Sequence, residues 1–321
     1  MKALYFSIAI ITFFSMMLLP LFAIQKGVNI NISNNSSAIV LTEKEDVFLV
    51  LDSTSSKVSE ISAKDYVVGV LCAEISPSYS TEAIKAQAVA AYTYACEKRN
   101  DRISSGGEYD VSTDSKLCQG FLSRDAAKKK WGDKADQYLK IFDDAYNSVE
   151  GYVITYDGNP ILAVYHSISS GKTESALNVW GSDYPYLIAV ESIGDLLAPD
   201  YLSEVSLSAD EFKSAAATQG VTLGDDPSCW LQEPTRSDSG TVLKYTLGDK
   251  VITGNEMRTA FSLRSANFDL TYSDNTFKFV VRGYGHDVGM SQNGANYMAL
   301  QGSTFLEILC WYYPGCQMSK A

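Results

Sequence analysis

Apolar residues follow three kinds of pattern along the chain. The first is continuous: Leu4 to Ile24 carries no charge. The second has helical spacing. Ser62-Ala-Lys-Asp65 sets a side-chain oxygen before an apolar run and an acid three residues on, a helix-start signature. It predicts a helix through Val67, Val68, Val70 and Leu71 to about Glu74, stopped by Ser76-Pro77-Ser78. Ser80 caps a second predicted helix, in which Ile84, Ala88, Ala91 and Ala95 recur at helical intervals. A third is expected at about 134–149, ending at Gly151. Ser208-Ala-Asp-Glu211 and Thr253-Gly-Asn-Glu256 are further capping boxes, and helical patterns at about 290–301 and 303–312 close the chain. The third pattern is that of strands. Val47–Leu51 is one. Tyr152–Tyr156 and Ile161–Tyr165 flank Asp157-Gly158, and Phe268–Tyr272 and Phe277–Val281 flank Ser273-Asp-Asn275, so each pair predicts a hairpin. Residues 101–120 are polar and read as a surface loop. Helices interspersed with antiparallel hairpins predict an α+β domain.

Leu4–Ile24 is long enough to cross a ~30 Å hydrocarbon core. Lys2 and Lys26 flank it, and Pro20-Leu-Phe-Ala-Ile-Gln25 is a poor cleavage site, which favours an uncleaved anchor over a removed signal. The expected organisation is a transmembrane anchor at 1–26, a polar stalk at 27–38 and one extracytoplasmic domain at 39–321. Hydrophobic residues at 46% and charged residues at 20% exclude a disordered polyelectrolyte. A net charge of -12 without a basic stripe argues against nucleic acid. Two histidines, His166 and His286, exclude a multi-histidine metal centre. The 20 tyrosines suit a carbohydrate or peptide groove as well as ordinary sheet packing. Six cysteines allow disulfides outside the cytoplasm, with Cys310 and Cys316 around a Trp-Tyr-Tyr-Pro-Gly turn as the candidate pair; Cys72 and Cys96 read as buried small hydrophobes.

Three constellations carry candidate chemistry. Glu74 is the only charge between Tyr66 and Tyr79. Apolar neighbours and a helix C-terminus both raise a carboxyl pKa, and a carboxyl that keeps its proton near neutrality suits a general acid. The competing reading is an exposed glutamate at a helix end. Tyr165-His-Ser-Ile-Ser-Ser-Gly-Lys-Thr-Glu-Ser175 gathers hydroxyls, an imidazole and an ammonium after a strand, suited to a polyhydroxylated ligand or simply to solvent. Arg282-Gly-Tyr-Gly-His-Asp-Val-Gly-Met-Ser-Gln292 surrounds His286 with glycines and opens a helix, without matching a nucleotide fingerprint.

Together these segments resemble the stage II sporulation protein D family. The resemblance runs through Asp65–Ile75 with Glu82–Ala95, Ala163–Ala176 with Val179-Trp-Gly181, and Gly283–Asn296 with Tyr312-Tyr-Pro-Gly315, in the family's order and from about residue 40 onward. It implies a membrane-anchored lytic transglycosylase that cleaves peptidoglycan between N-acetylmuramic acid and N-acetylglucosamine, preferring strands denuded of peptide, during sporulation. It also implies a sporulation amidase and a polytopic membrane protein as partners. Glu74 matches the catalytic glutamate. Lys85, Gln87, Tyr92, His166, Ser167, Ser169, Lys172, His286 and Gln292 are the implied glycan-binding set, with no cofactor. The chain departs from the family in having Tyr92 for arginine, Ser170 for the first of two glycines and Asp287 for glycine. Some relatives bind zinc in the segment that reads Asp110–Gly120 here, but only Cys118 of such a ligand set is present, so no metal is expected. The alternative function is a non-catalytic glycan-binding module that stimulates or positions a wall amidase. The loss of arginine at position 92 is its motive.

Overall fold

The computed structural model describes residues 46–320. The expected anchor and stalk lie outside them. Among the described residues no helix is long and apolar enough to cross a membrane.

The first part of the chain forms β1 (Val47–Asp52) and β2 (Lys57–Ser62), an antiparallel pair, followed by α1 (Ala63–Glu74) and α2 (Thr81–Ser105). Ser62 caps α1 by accepting from the Asp65 N–H at 3.1 Å. α2 is longer than its sequence pattern predicts. Its alanines at 83, 86, 88, 90, 91 and 95 are all buried, so it runs through the core with α1 and later helices packed around it. β3 (Val111–Ser112) joins β1 in parallel. Next come α3 (Arg124–Trp131), which the pattern did not predict, and α4 (Ala135–Val149). β4 (Tyr152–Tyr156) pairs with only two residues, β5 (Asn159–Pro160), before the chain peels away to β6 (Tyr165–His166) and α5 (Ala176–Trp180).

Residues 202–282 then build a second aromatic core. It contains β7 (Leu202–Ser208), α6 (Ala209–Ala217), β8 (Thr235–Arg236), β9 (Val242–Leu247), β10 (Lys250–Thr253), α7 (Gly254–Ala260), β11 (Phe268–Ser273) and β12 (Thr276–Arg282). Phe212 stacks on Phe277 at 4.0 Å between ring centres, and Trp230 lies parallel to Phe277 at 5.4 Å. Both capping boxes are formed. The β11–β12 hairpin turns at Asp274 and Asn275, whose φ values of 49° and 57° suit residues that tolerate the left-handed region. The chain returns as β13 (Met290–Ser291), α8 (Gln292–Leu300), α9 (Phe305–Tyr312) and β14 (Gln317–Lys320), which takes the other edge of β4. β13 lies parallel to β6, pairing Met290 with Tyr165 and Ser291 with His166.

The α+β reading therefore holds, with corrections. The predicted Ile161–Tyr165 strand is not the hairpin partner of β4, because β14 and the short β5 already flank β4 and the apolar Ile161 and Ala163 are buried in the first core. The supposed surface loop at 101–120 begins as helix and then enters the core. The Asp110 carboxylate is held by the Arg102 Nε at 2.5 Å and by the Leu49 N–H at 2.7 Å. Among the described residues all six cysteines are free thiols, Cys310 and Cys316 included.

Candidate active site

An open cleft of about 830 Å³ lies where the two cores meet. α1 ends at it with Glu74. The segment Ser115–Gln119 forms one rim, and β6 supplies His166 with Ser167 beside it. Trp180 ends α5, Arg258 comes from α7, Tyr284–His286 approach from the loop after β12, and Gln292 opens α8. Parallel pairing of β6 with β13 brings the second and third sequence motifs together. Gly285 allows their close approach, since a Cβ there would sit 2.6 Å from the His166 Cβ.

Glu74 is held from one side. Its Oε1 accepts the Gly120 N–H at 2.5 Å. Gln119 anchors that backbone: its amide donates to the Tyr66 Oη and the Ala91 carbonyl, each at 3.2 Å, and accepts from the Tyr165 Oη at 2.8 Å. Among the described residues Oε2 has no hydrogen-bond partner, which leaves it for a ligand in the cleft. Burial pushes the Glu74 pKa above its ordinary value, and the Gly120 hydrogen bond only partly opposes this.

Glycine at 120 is a steric requirement, because a Cβ there would lie 2.5 Å from the Glu74 Oε1. Gly120→Ala is expected to leave the fold intact and displace the carboxyl. The rate of any reaction that uses this carboxyl should fall by roughly 10²-fold, the scale of a 1 Å misplacement. Initial rates of the purified variant against wild type check this, with circular dichroism as the folding control.

Both histidines are neutral at physiological pH. Burial lowers the His166 pKa to about 4 and the His286 pKa to about 3. The His166 Nδ1 lies 3.1 Å from the Val288 carbonyl, and the His286 Nδ1 accepts the Val288 N–H at 3.2 Å. Donation from His166 Nδ1 leaves its Nε2 as an acceptor with no protein partner. The imidazole of His286 meets the half-exposed Trp180 indole in a tilted contact at 5.2 Å between ring centres, and Arg264 covers the Tyr284 ring at 5.1 Å. Exposed aromatic faces beside neutral imidazoles, a glutamine and a hydroxyl suit a sugar ring better than a charged small molecule.

Asp287 explains one departure from the family pattern. Its φ is 64°, the left-handed region where glycine is at ease and aspartate is tolerated. Its carboxyl is buried, both oxygens lack partners, and desolvation drives its pKa well above the ordinary value. A carboxyl raised in the folded state contributes most below its unfolded value near 3.8, and that contribution is lost as pH rises toward the folded value. Asp287→Asn keeps the size and the backbone tolerance but cannot ionise. It should stabilise the protein by roughly 1–3 kcal/mol at pH 7 and by much less at pH 4. Thermal melts at the two pH values check it; equal shifts at both would contradict it.

Of the residues expected from sequence, the cleft brings together Glu74, His166, Ser167, His286 and Gln292. Gln87 sits behind it, its Oε1 accepting from the Gln292 Nε2 at 3.3 Å. Lys85 lies outside the lining, paired with Glu82 at 2.7 Å, and Lys172 outside it near Glu191 at 3.6 Å. Ser169 is fully buried and donates to Asp195 at 2.6 Å, a structural contact. Tyr92 corrects the expectation that it belongs to the glycan-binding set. It is buried against Phe48, its hydroxyl donates to Asp46 at 2.6 Å, and it does not line the cleft. Sequence reasoning missed Gly120, Gln119, Trp180, Arg258 and Tyr284. Only the Val179-Trp-Gly181 and Gly-Tyr-Gly segments carried any signal for them. At the segment where some relatives hold zinc, the Cys118 Sγ accepts the Ser112 N–H at 3.3 Å and lines the cleft. Among the described residues no group of three metal-binding side chains occurs, so this donor set does not fit zinc.

A half-buried carboxyl in the wall of an aromatic-edged cleft defines the candidate site. The family model described as stage II sporulation protein matches residues 52–156. The chain is 34% identical over 274 residues to stage II sporulation protein D of Bacillus subtilis, covering 85% of this chain and 78% of that one. It is 34% identical over 273 residues to stage II sporulation protein D of Bacillus amyloliquefaciens, with the same 85% and 78% coverage. It is 26% identical over 303 residues to the amidase enhancer of Bacillus subtilis, covering 78% of this chain and 40% of that one. The chain belongs to the stage II sporulation protein D family.

Proposed function

We propose that the protein is a peptidoglycan lytic transglycosylase that cuts the bond between N-acetylmuramic acid and N-acetylglucosamine on denuded strands during sporulation. The observation that carries this reading is Glu74: half-buried, raised in pKa, fixed through Oε1 and open through Oε2. The Oε2 proton goes to the glycosidic oxygen as the C1–O bond breaks and an oxocarbenium-like centre forms. The resulting carboxylate takes the proton of the sugar's own 6-hydroxyl, whose oxygen closes on C1 to give a 1,6-anhydro end. One carboxyl performs both transfers. His166, Ser167 and Gln292 are placed to hold hydroxyl and acetamido groups, and Trp180 and Tyr284 to meet ring faces. Residues 1–26 anchor the domain on the outer face of the membrane, where a sporulation amidase supplies stripped strands.

The amidase-enhancer relative supports a second reading, a glycan-binding module that stimulates an amidase without cutting glycan itself. The change of arginine to Tyr92 no longer favours it, because Tyr92 lies outside the cleft. Purified protein is incubated with denuded glycan, and separately with intact wall plus a wall amidase. Anhydro-muramic ends from the first mixture support the transglycosylase. No cleavage there, with faster amide release in the second, would replace it with the enhancer.

A further inference from the structure

Arg258 is the one arginine of the described residues without an ion pair. Every other arginine holds an aspartate. It forms no hydrogen bond to the other described residues either, although it is half-buried in the wall of the cleft. It also lines an adjoining recess of about 370 Å³ with Asn255, Thr259 and Ser262, and the two cavities share Trp180, Arg258 and His286. Among the described residues no acidic side chain lines the recess, and Glu74 is the only one lining the cleft. Glu74 is held toward its neutral form by burial, as is the nearby Asp287. A chain of net charge -12 therefore keeps at its ligand site a guanidinium with no ion-pair partner in contact, Asp287 acting on it only at longer range. Desolvation without a partner is unfavourable, and a bound anion would relieve it.

We propose that Arg258 recognises a carboxylate carried by the bound glycan, and that this is the free lactyl carboxylate of an N-acetylmuramic acid residue. The assignment rests on the glycan reading above. A strand stripped of peptide bears this carboxylate on every muramic residue, whereas a peptide-bearing strand has a neutral amide at the same atom. The guanidinium forks onto a planar carboxylate through two parallel N–H bonds, which an amide cannot accept equally. Arg258 is then the residue that selects denuded strands. The other source of a carboxylate is the stem peptide, where the charge sits several bonds further out.

The test uses full-length Glu74→Gln protein, which cannot turn substrate over, and calorimetric titration with three muramic-glucosamine oligomers. One carries free lactyl acids, one has them converted to primary amides, and one bears stem peptides. The acid form is expected to bind ~10–100-fold tighter than the amide form, as for a charge-assisted pair. Adding Arg258→Gln should remove that difference, with Arg258→Lys in between. Circular dichroism matching that of the parent shows that the variant is folded. Discrimination that survives Arg258→Gln would overturn the proposal. Tight, Arg258-dependent binding of the peptide-bearing oligomer would move the carboxylate to the stem peptide and overturn the lactyl assignment. Failure of the Glu74→Gln protein to bind any of the three would overturn the glycan reading, and the inference with it.

Discussion

Glu74→Gln is expected to fold, bind denuded glycan and release almost no anhydro ends. Glutamine keeps the Oε1 acceptor that meets the Gly120 N–H at 2.5 Å. It loses only the proton on the second oxygen. General acid–base catalysis is worth ~10²–10⁴-fold, and in the proposed mechanism one group serves both transfers, so the loss should lie at or beyond the upper figure. Glu82 is tied to Lys85, and Glu174 to Ser237 and Ser239, so neither is free to stand in. Product release per enzyme, with circular dichroism on the same sample, checks it.

Asp195→Ala should have the largest effect on stability. The side chain is fully buried and joins three segments of chain. Its Oδ2 accepts from the Ser169 N–H at 3.0 Å, the Ser169 hydroxyl at 2.6 Å and the Ser192 hydroxyl at 2.8 Å. Its Oδ1 accepts from the Ser291 hydroxyl at 2.8 Å and the Asn293 amide at 3.3 Å. Alanine leaves the buried Ser169 N–H and hydroxyl without an acceptor and leaves Ser291 and Asn293 only the Ser167 and Gly194 carbonyls at 3.4 and 3.3 Å, at a cost of about 3–5 kcal/mol, as when a buried polar network loses one member. Asparagine does not rescue, because three donors converge on the single oxygen Oδ2. Ser169 follows the Ser167 of the cleft, and Ser291 caps the helix that begins with Gln292, so the residual folded protein should also bind glycan poorly. Urea titration followed by fluorescence measures the first effect; a loss below about 1 kcal/mol would contradict it.

Glu74 was legible because its signal is local. One acid in an apolar run just before Ser-Pro is a helix end beside a core, whatever the rest of the chain does. Capping boxes and the Asp274-Asn275 turn were legible for the same reason. Pairing of β6 with β13 was not. Each strand has two residues, they lie more than a hundred positions apart, and the whole second core intervenes. That pairing assembles the cleft, so the second and third motifs could be joined only through family resemblance. Arg258 reads in sequence as a basic residue in the last turn of a short helix, satisfying the helix dipole, and only the fold turns it inward. Asp110 misled in the opposite sense: a carboxylate in a polar segment looks solvated until Arg102 and the Leu49 N–H are seen to hold it. Tyr92 occupies a helix face directly after the acid-bearing helix, but α2 is buried on nearly every side, so its position says nothing about the cleft.

Cleavage of denuded glycan in water enriched in the heavy oxygen isotope tests most directly whether the 6-hydroxyl, and not water, completes the reaction at Glu74. The new muramic ends are read by mass spectrometry. Anhydro ends, each lighter by one water than a reducing end and free of the heavy isotope, are the predicted result. Reducing muramic ends that carry the heavy isotope would show that water is the nucleophile and would contradict the single-carboxyl mechanism.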